Sequence, residues 1–158
     1  PLHFASHLNQ AGADAIVIFN RFYQSDINLE TLEIEPRLEL SAPYESLLRI
    51  RWAAILRGAL DMDIAVTGGF HERDDVIKAL LVGANAVQLC SVLLQHGPGS
   101  LTALRDELER WLDENEYESV AQMQGSLSHR NAPDPSAFER ESYLNVLESF
   151  TPPPGVRY

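Results

Sequence analysis

Residues 63–98 read DIAVTGGFHERDDVIKALLVGANAVQLCSVLLQHGP, and this stretch decides the fold class. It opens on a short apolar run, Asp63 to Val66, that ends in Thr67-Gly68-Gly69-Phe70. An amphipathic helix with an acidic start follows over residues 72–82 and stops at Gly83. A second apolar run, Ala86 to Leu89, ends at Cys90-Ser91. Upstream, Leu2 to Ala11 has helical spacing, Gly12 stops it, and Asp14 to Phe19 (DAIVIF) reads as another strand. Gly12-Ala13-Asp14-Ala15 and Gly83-Ala84-Asn85-Ala86 are near repeats, each a helix stop, a tight turn and a strand start. Repeated helix–strand units of this kind make a parallel α/β sheet with helical crossovers, and the short apolar strands are expected to be buried on both faces. Periodicity alone does not separate a barrel from an open doubly wound sheet.

The remaining chain is read more coarsely. Residues 21–43 form a polar excursion, and residues 44–58 a helix closed by Gly58. Beyond the last strand, Ser91 to Gln95 is expected to be a short helix, interrupted at Gly97-Pro98. A longer helix over 98–115 carries Leu101, Leu104, Leu108 and Leu112 on one side. Further helices are expected near 117–124 and 136–149, followed by an irregular tail from Thr151 to Tyr158. The expected division is 1–125, a partial β/α barrel with three strands, and 126–158, a helical extension with its tail. Because the chain begins at Pro1 in what reads as the middle of a fold, a fragment of a longer protein is expected.

The chemistry is expected at two loops. Thr67-Gly68-Gly69 ends one strand, and Gln88-Leu89-Cys90-Ser91 ends the next about one βα unit later. Paired glycines allow close backbone approach, amides at a helix start can donate to phosphate oxygens, and Ser91 can add a hydroxyl. A ligand-free tight turn is the simpler reading of the glycine pair. The second loop, with a short helix after it, favours phosphate.

Composition narrows the alternatives. With 12 basic and 23 acidic side chains the net charge is −11, which disfavours a nucleic-acid or anionic-membrane surface. Cys90 is the only cysteine, so neither an internal disulfide framework nor a Cys-rich metal site is expected. No apolar run reaches the roughly 20 residues of a membrane span. A reducing cytoplasm is the expected compartment.

Residues 63–98 resemble the final two barrel units of dihydroorotate dehydrogenases, and Tyr117-Glu118-Ser119-Val120 resembles the C-terminal helix of that family. Residues 16–43 look closer to a bacterial dihydroorotate dehydrogenase-like group. The resemblance implies the C-terminal half of a (β/α)8 TIM barrel with extra C-terminal helices. It also implies an FMN-dependent oxidoreductase that oxidises a dihydropyrimidine-like substrate, dihydroorotate to orotate, in pyrimidine biosynthesis. Gly68 and Gly69 match the glycine pair at the FMN phosphate. Cys90 and Ser91 stand where the family usually has Gly-Thr, so their amides take the same role. Asn20 matches the asparagine that meets the pyrimidine, and its local alternative is a strand-ending residue that satisfies nearby backbone. Arg21 departs from the small hydroxyl residue usual beside that asparagine; either it points away from the pocket or the substrate differs. Ser41 is a weaker candidate near the flavin.

The family's catalytic base and its flavin-adjacent lysine belong to the N-terminal half, so no catalytic residue is expected in this chain, and alone it should be inert. Cys90 is read as inert packing in a buried loop, and His71 as an exposed residue at a helix start. His3, His7, His96 and His129 lack metal-ligand spacing. Trp52 and Trp111 read as packing, and Arg49, Arg51 and Arg57 as a solvated face or an interface edge. A small-molecule substrate is the expected partner, with a homodimer of the full-length protein as a further candidate. Two rival readings stand beside this one: a barrel enzyme for another phosphorylated ligand, and a non-catalytic half-barrel assembly module.

Overall fold

The computed structural model describes residues 1–22 and 24–139. In chain order its elements are α1 (Leu2–Gln10), β1 (Ala15–Ile18), β2 (Ser25–Asn28), β3 (Glu33–Pro36), a 3-10 turn (Pro43–Glu45), α2 (Ser46–Ala59) and β4 (Asp63–Thr67). There follow α3 (Arg73–Leu81), β5 (Ala86–Gln88), α4 (Ser91–His96), α5 (Gly99–Glu114), α6 (Val120–Met123) and a 3-10 turn (Pro135–Phe138). The helix expected over 136–149 and the tail after it fall, from residue 140 onward, outside the described residues.

β1, β4 and β5 form a parallel sheet in that order, with Ile18 opposite Val66 and Thr67 opposite Gln88. Strand alternation places Ile16, Ile18, Ile64, Val66 and Val87 on one face. That face packs with Ile50, Ala53, Ala54 and Leu56 of α2, with Ala5 of α1, and with Ala79 of α3. The opposite face carries Val17, Ala65, Thr67, Ala86 and Gln88. The expectation of strands buried on both faces is therefore corrected: Val17 is 53% exposed, and Ala86 and Gln88 are exposed as well. Burial is confined to the helix-facing side, where Ile18 of β1 and Ile64 and Val66 of the central strand β4 are enclosed.

A second apolar cluster fixes α5 and α6 outside α3. Ile77 and Leu80 meet Met123, Leu108, Leu112 and Trp111, whose ring stacks on Tyr117 at 5.7 Å between centroids. Residues after α6 return to the helical layer, where the amide of His129 donates to Ala54 O and that of Leu127 to Leu81 O.

Two sequence readings change here. Gly58 does not close its helix; α2 continues to Ala59, and a side chain at position 58 would meet His129 Cβ at 2.9 Å. Close packing explains that glycine. The polar excursion 21–43 holds an antiparallel hairpin, with Ile27 opposite Ile34. Its four-residue strands are mostly exposed, so their apolar residues give no clean two-residue alternation between buried and solvated positions.

Candidate functional site

The C-terminal ends of β1, β4 and β5 open into a cavity of about 680 Å³, within the usual range for small-molecule sites. Its wall includes Asn20 and Arg21 after β1, Thr67, Gly68 and Gly69 after β4, and Gln88, Cys90 and Ser91 after β5. The segment from Pro36 to Ser41 covers another side. All five residues singled out for binding, Asn20, Gly68, Gly69, Cys90 and Ser91, line this one cavity, and so do Ser41 and Arg21. Parallel strands bring these sequence-distant residues together because their C-terminal ends lie on one edge of the sheet.

The glycine pair has a structural cause that the sequence did not disclose. Gly68 and Gly69 take φ of +93° and +90°, where side chains are strained. A Cβ at Gly69 would stand 2.3 Å from the amide nitrogen of Ser46, and one at Gly68 would stand 3.1 Å from the guanidinium of Arg49. The missing side chains thus admit the start of α2 behind the loop. The cavity side is lined by backbone, and the amides of Gly68, Gly69, Cys90 and Ser91 have no backbone acceptor among the described residues.

Arg49 is the residue the sequence reading missed. Far from a solvated face, it is only 6% exposed, and it is the one charged side chain buried among the described residues. Its Nε donates to Thr67 O at 3.1 Å and its NH1 to Glu45 O at 2.9 Å. The (i, i+4) spacing of Glu45 and Arg49 was the available signal. Arg51 and Arg57 are half-buried too: Arg51 donates to Phe138 O at 2.7 Å, and the Arg57 stem packs against Gly83.

Arg21 does not point away from the pocket. It lines the cavity, but its Nε donates to Glu45 Oε2 at 3.1 Å and its NH1 to Glu39 O. Glu45 also accepts from the Ala42 amide through Oε1 at 2.9 Å, and Arg49 lies 3.8 Å from its other oxygen. Arg21 therefore straps the end of β1 to the segment that covers the cavity. At the far end of that segment the Ser41 amide donates to Ser91 Oγ at 2.9 Å, and the two hydroxyls meet at 2.8 Å. The Ser91 hydroxyl is thus partly engaged within the protein, while its amide is not.

Cys90 is exposed, which corrects the reading of a buried thiol. Its φ of −135° is not in the left-handed region that favours glycine, so no positive φ calls for the glycine of the resemblance at this position. His71 is half-buried, with Nε2 3.5 Å from Ser41 Oγ, and lines a separate hollow between α3 and α5. Among the described residues there is no metal-ligand cluster, and no helix is long and apolar enough to cross a membrane.

No family model matches the chain. Over 132 residues it is 28% identical to the catalytic subunit of dihydroorotate dehydrogenase B (NAD(+)) from Carboxydothermus hydrogenoformans, covering 80% of this chain and 42% of the relative. The corresponding subunit from Thermoplasma volcanium is 28% identical over 86 residues, 54% of this chain and 29% of that one. The chain is thus similar to dihydroorotate dehydrogenases over part of their length. It spans well under half the length of these relatives. Its fold agrees with that of the Eimeria tenella DHODH solved with ferulenol, at a TM-score of 0.60 and 22% identity, over 77% of this chain and 32% of that structure.

Proposed function

We propose that this chain is the C-terminal part of an FMN-dependent oxidoreductase of the dihydroorotate dehydrogenase type, with its three parallel strands contributing to a β/α barrel. The observation that carries the reading is the single cavity onto which Asn20, Gly68, Gly69, Cys90 and Ser91 all open. The donor set fits a phosphorylated, partly apolar cofactor: unengaged amides sit beside Phe70, Leu40 and Leu94. Gly68, Gly69, Cys90 and Ser91 would hold the phosphate, and bound flavin would supply the acceptor for substrate hydride.

Asn20 orients the substrate through its amide, which offers both a donor and an acceptor to a dihydropyrimidine ring. Arg21, held by Glu45 and the Glu39 carbonyl, fixes the covering segment beside it. The catalytic base lies on the other half of the intact protein, so this chain alone binds and orients but does not turn over. Closure of a barrel around these strands would cover Val17 and Ala86, which are exposed on the face of the sheet turned away from the helices. A homodimer of the intact protein and a cytoplasmic setting belong to the same reading.

The test is the visible spectrum of the intact protein, with the released cofactor identified by mass. Bound FMN is the expected result, and dihydroorotate the first substrate to try. A colourless protein that fails to take up added FMN would limit the relationship to fold, and other phosphorylated ligands would then be tried on the same loop.

A further inference from the structure

We infer that Arg49 is a positioning residue for the phosphate loop, holding it in shape and placing a buried positive charge behind it. The inference rests on the phosphate reading of Gly68 and Gly69. Three observations converge on this side chain. It joins the last residue of β4, through Thr67 O, to the start of α2, through Glu45 O. Its guanidinium lies behind Gly68, with NH2 at 3.1 Å and both Cζ and Nε at 3.4 Å from the position a Cβ would take. It is also buried, so its field is little screened by solvent.

The local charge balance strengthens the case. Arg49 and Arg21 share the single carboxylate of Glu45, at 3.8 and 3.1 Å. With the Glu45 carboxylate engaged chiefly by Arg21, and Asp75 directed to Ser46 Oγ and to the His71 and Glu72 amides, Arg49 is the cation whose guanidinium lies directly against Gly68, in a chain whose overall charge is −11. Without that charge, the acidic surroundings would oppose a phosphate dianion. A fork of planar donors is also what lets one residue satisfy two carbonyls while facing the loop, and lysine lacks that geometry.

Affinities for FMN and riboflavin, which differ by the phosphate, separate this role from a merely structural one. They are measured by flavin fluorescence on the intact protein, on Arg49→Lys and on Arg49→Met. Unchanged protein should prefer FMN. Arg49→Met should lose about tenfold to thirtyfold in FMN affinity, as expected of one partly screened charge a short distance behind the phosphate. Riboflavin affinity should stay within about twofold, since that ligand carries no charge for Arg49 to meet. Arg49→Lys, which keeps the charge and loses the fork, should recover part of the preference. It also carries the test if Arg49→Met does not fold. A preference for FMN that both variants retain in full would overturn the role of Arg49 and leave the phosphate reading standing. An unchanged protein with no preference for FMN over riboflavin would sink the phosphate reading, and Arg49 with it.

Discussion

The loop after β4 and the hairpin β2–β3 both border the cavity, yet they are built in opposite ways. The loop is backed by protein: Gly69 and Phe70 are buried, Ser46 presses on it from behind, and Arg49 bonds to its first carbonyl. The hairpin has little behind it, and Ile27, Leu29, Leu32 and Ile34 are each at least 60% exposed. Both regions carry apolar and special residues in the sequence, but only the first converts them into packing. Rigidity at a binding loop thus comes from the layer beneath it, and composition alone does not reveal whether that layer exists.

The largest effect is expected where the backing is tightest. Gly69→Ala must accommodate both a positive φ and a Cβ 2.3 Å from a backbone nitrogen that cannot move without displacing α2. Strain and overpacking together should cost about 2–4 kcal/mol, read by chemical denaturation. Gly68→Ala meets only the guanidinium of Arg49, which has some freedom to shift, so its cost should be smaller. Equal costs at the two positions would show that conformational strain outweighs contact with α2.

Much of the fold was legible in the sequence, and the rest was hidden for definite reasons. The α/β alternation from Leu2 to Ser91 is written in apolar runs and glycine stops, and the elements lie within a residue or two of the boundaries so read. The residues that meet at the cavity were legible because parallel strands deliver their ends to one edge. What was not legible is direction. A sequence does not say which side of a glycine faces its own chain, nor that Arg49 turns inward while Leu47 and Leu48, two helical neighbours, are exposed. One-sided burial of the sheet was equally invisible, because Ala15, Val17 and Ala86 are as apolar as core residues.

Between the two extremes lies the strap formed by Arg21. Its ion pair with Glu45 is part-buried, with side chains 26% and 17% exposed, and it joins the loop region to the cover of the cavity. Arg21→Ser should destabilise the chain by about 1 kcal/mol, a value between exposed pairs and buried ones. Added salt should narrow the gap between the two proteins only slightly, since the pair is partly shielded from solvent. A gap that vanishes in salt would mean the strap is open in solution. In the intact protein the same variant tests substrate choice: if Arg21 excludes dihydroorotate by occupying space, Arg21→Ser should raise its turnover.

The smallest effect is expected at the hairpin, and it sharpens the comparison most directly. Ile34 is 74% exposed and its cross-strand partner Ile27 is 60% exposed. Ile34→Lys removes one exposed cross-strand contact and leaves the new charge in solvent, on the face opposite Asp26, Glu33 and Glu35. Its stability should therefore stay within about 0.5 kcal/mol of the unchanged chain. Loop and hairpin would then differ several-fold in their sensitivity to a single substitution, although both adjoin the same cavity, the hairpin through Pro36. A cost above about 2 kcal/mol has only one physical source at such a site, the loss of buried apolar surface. It would show that the outer face of the hairpin is covered in solution, and the contrast drawn between the two regions would fail.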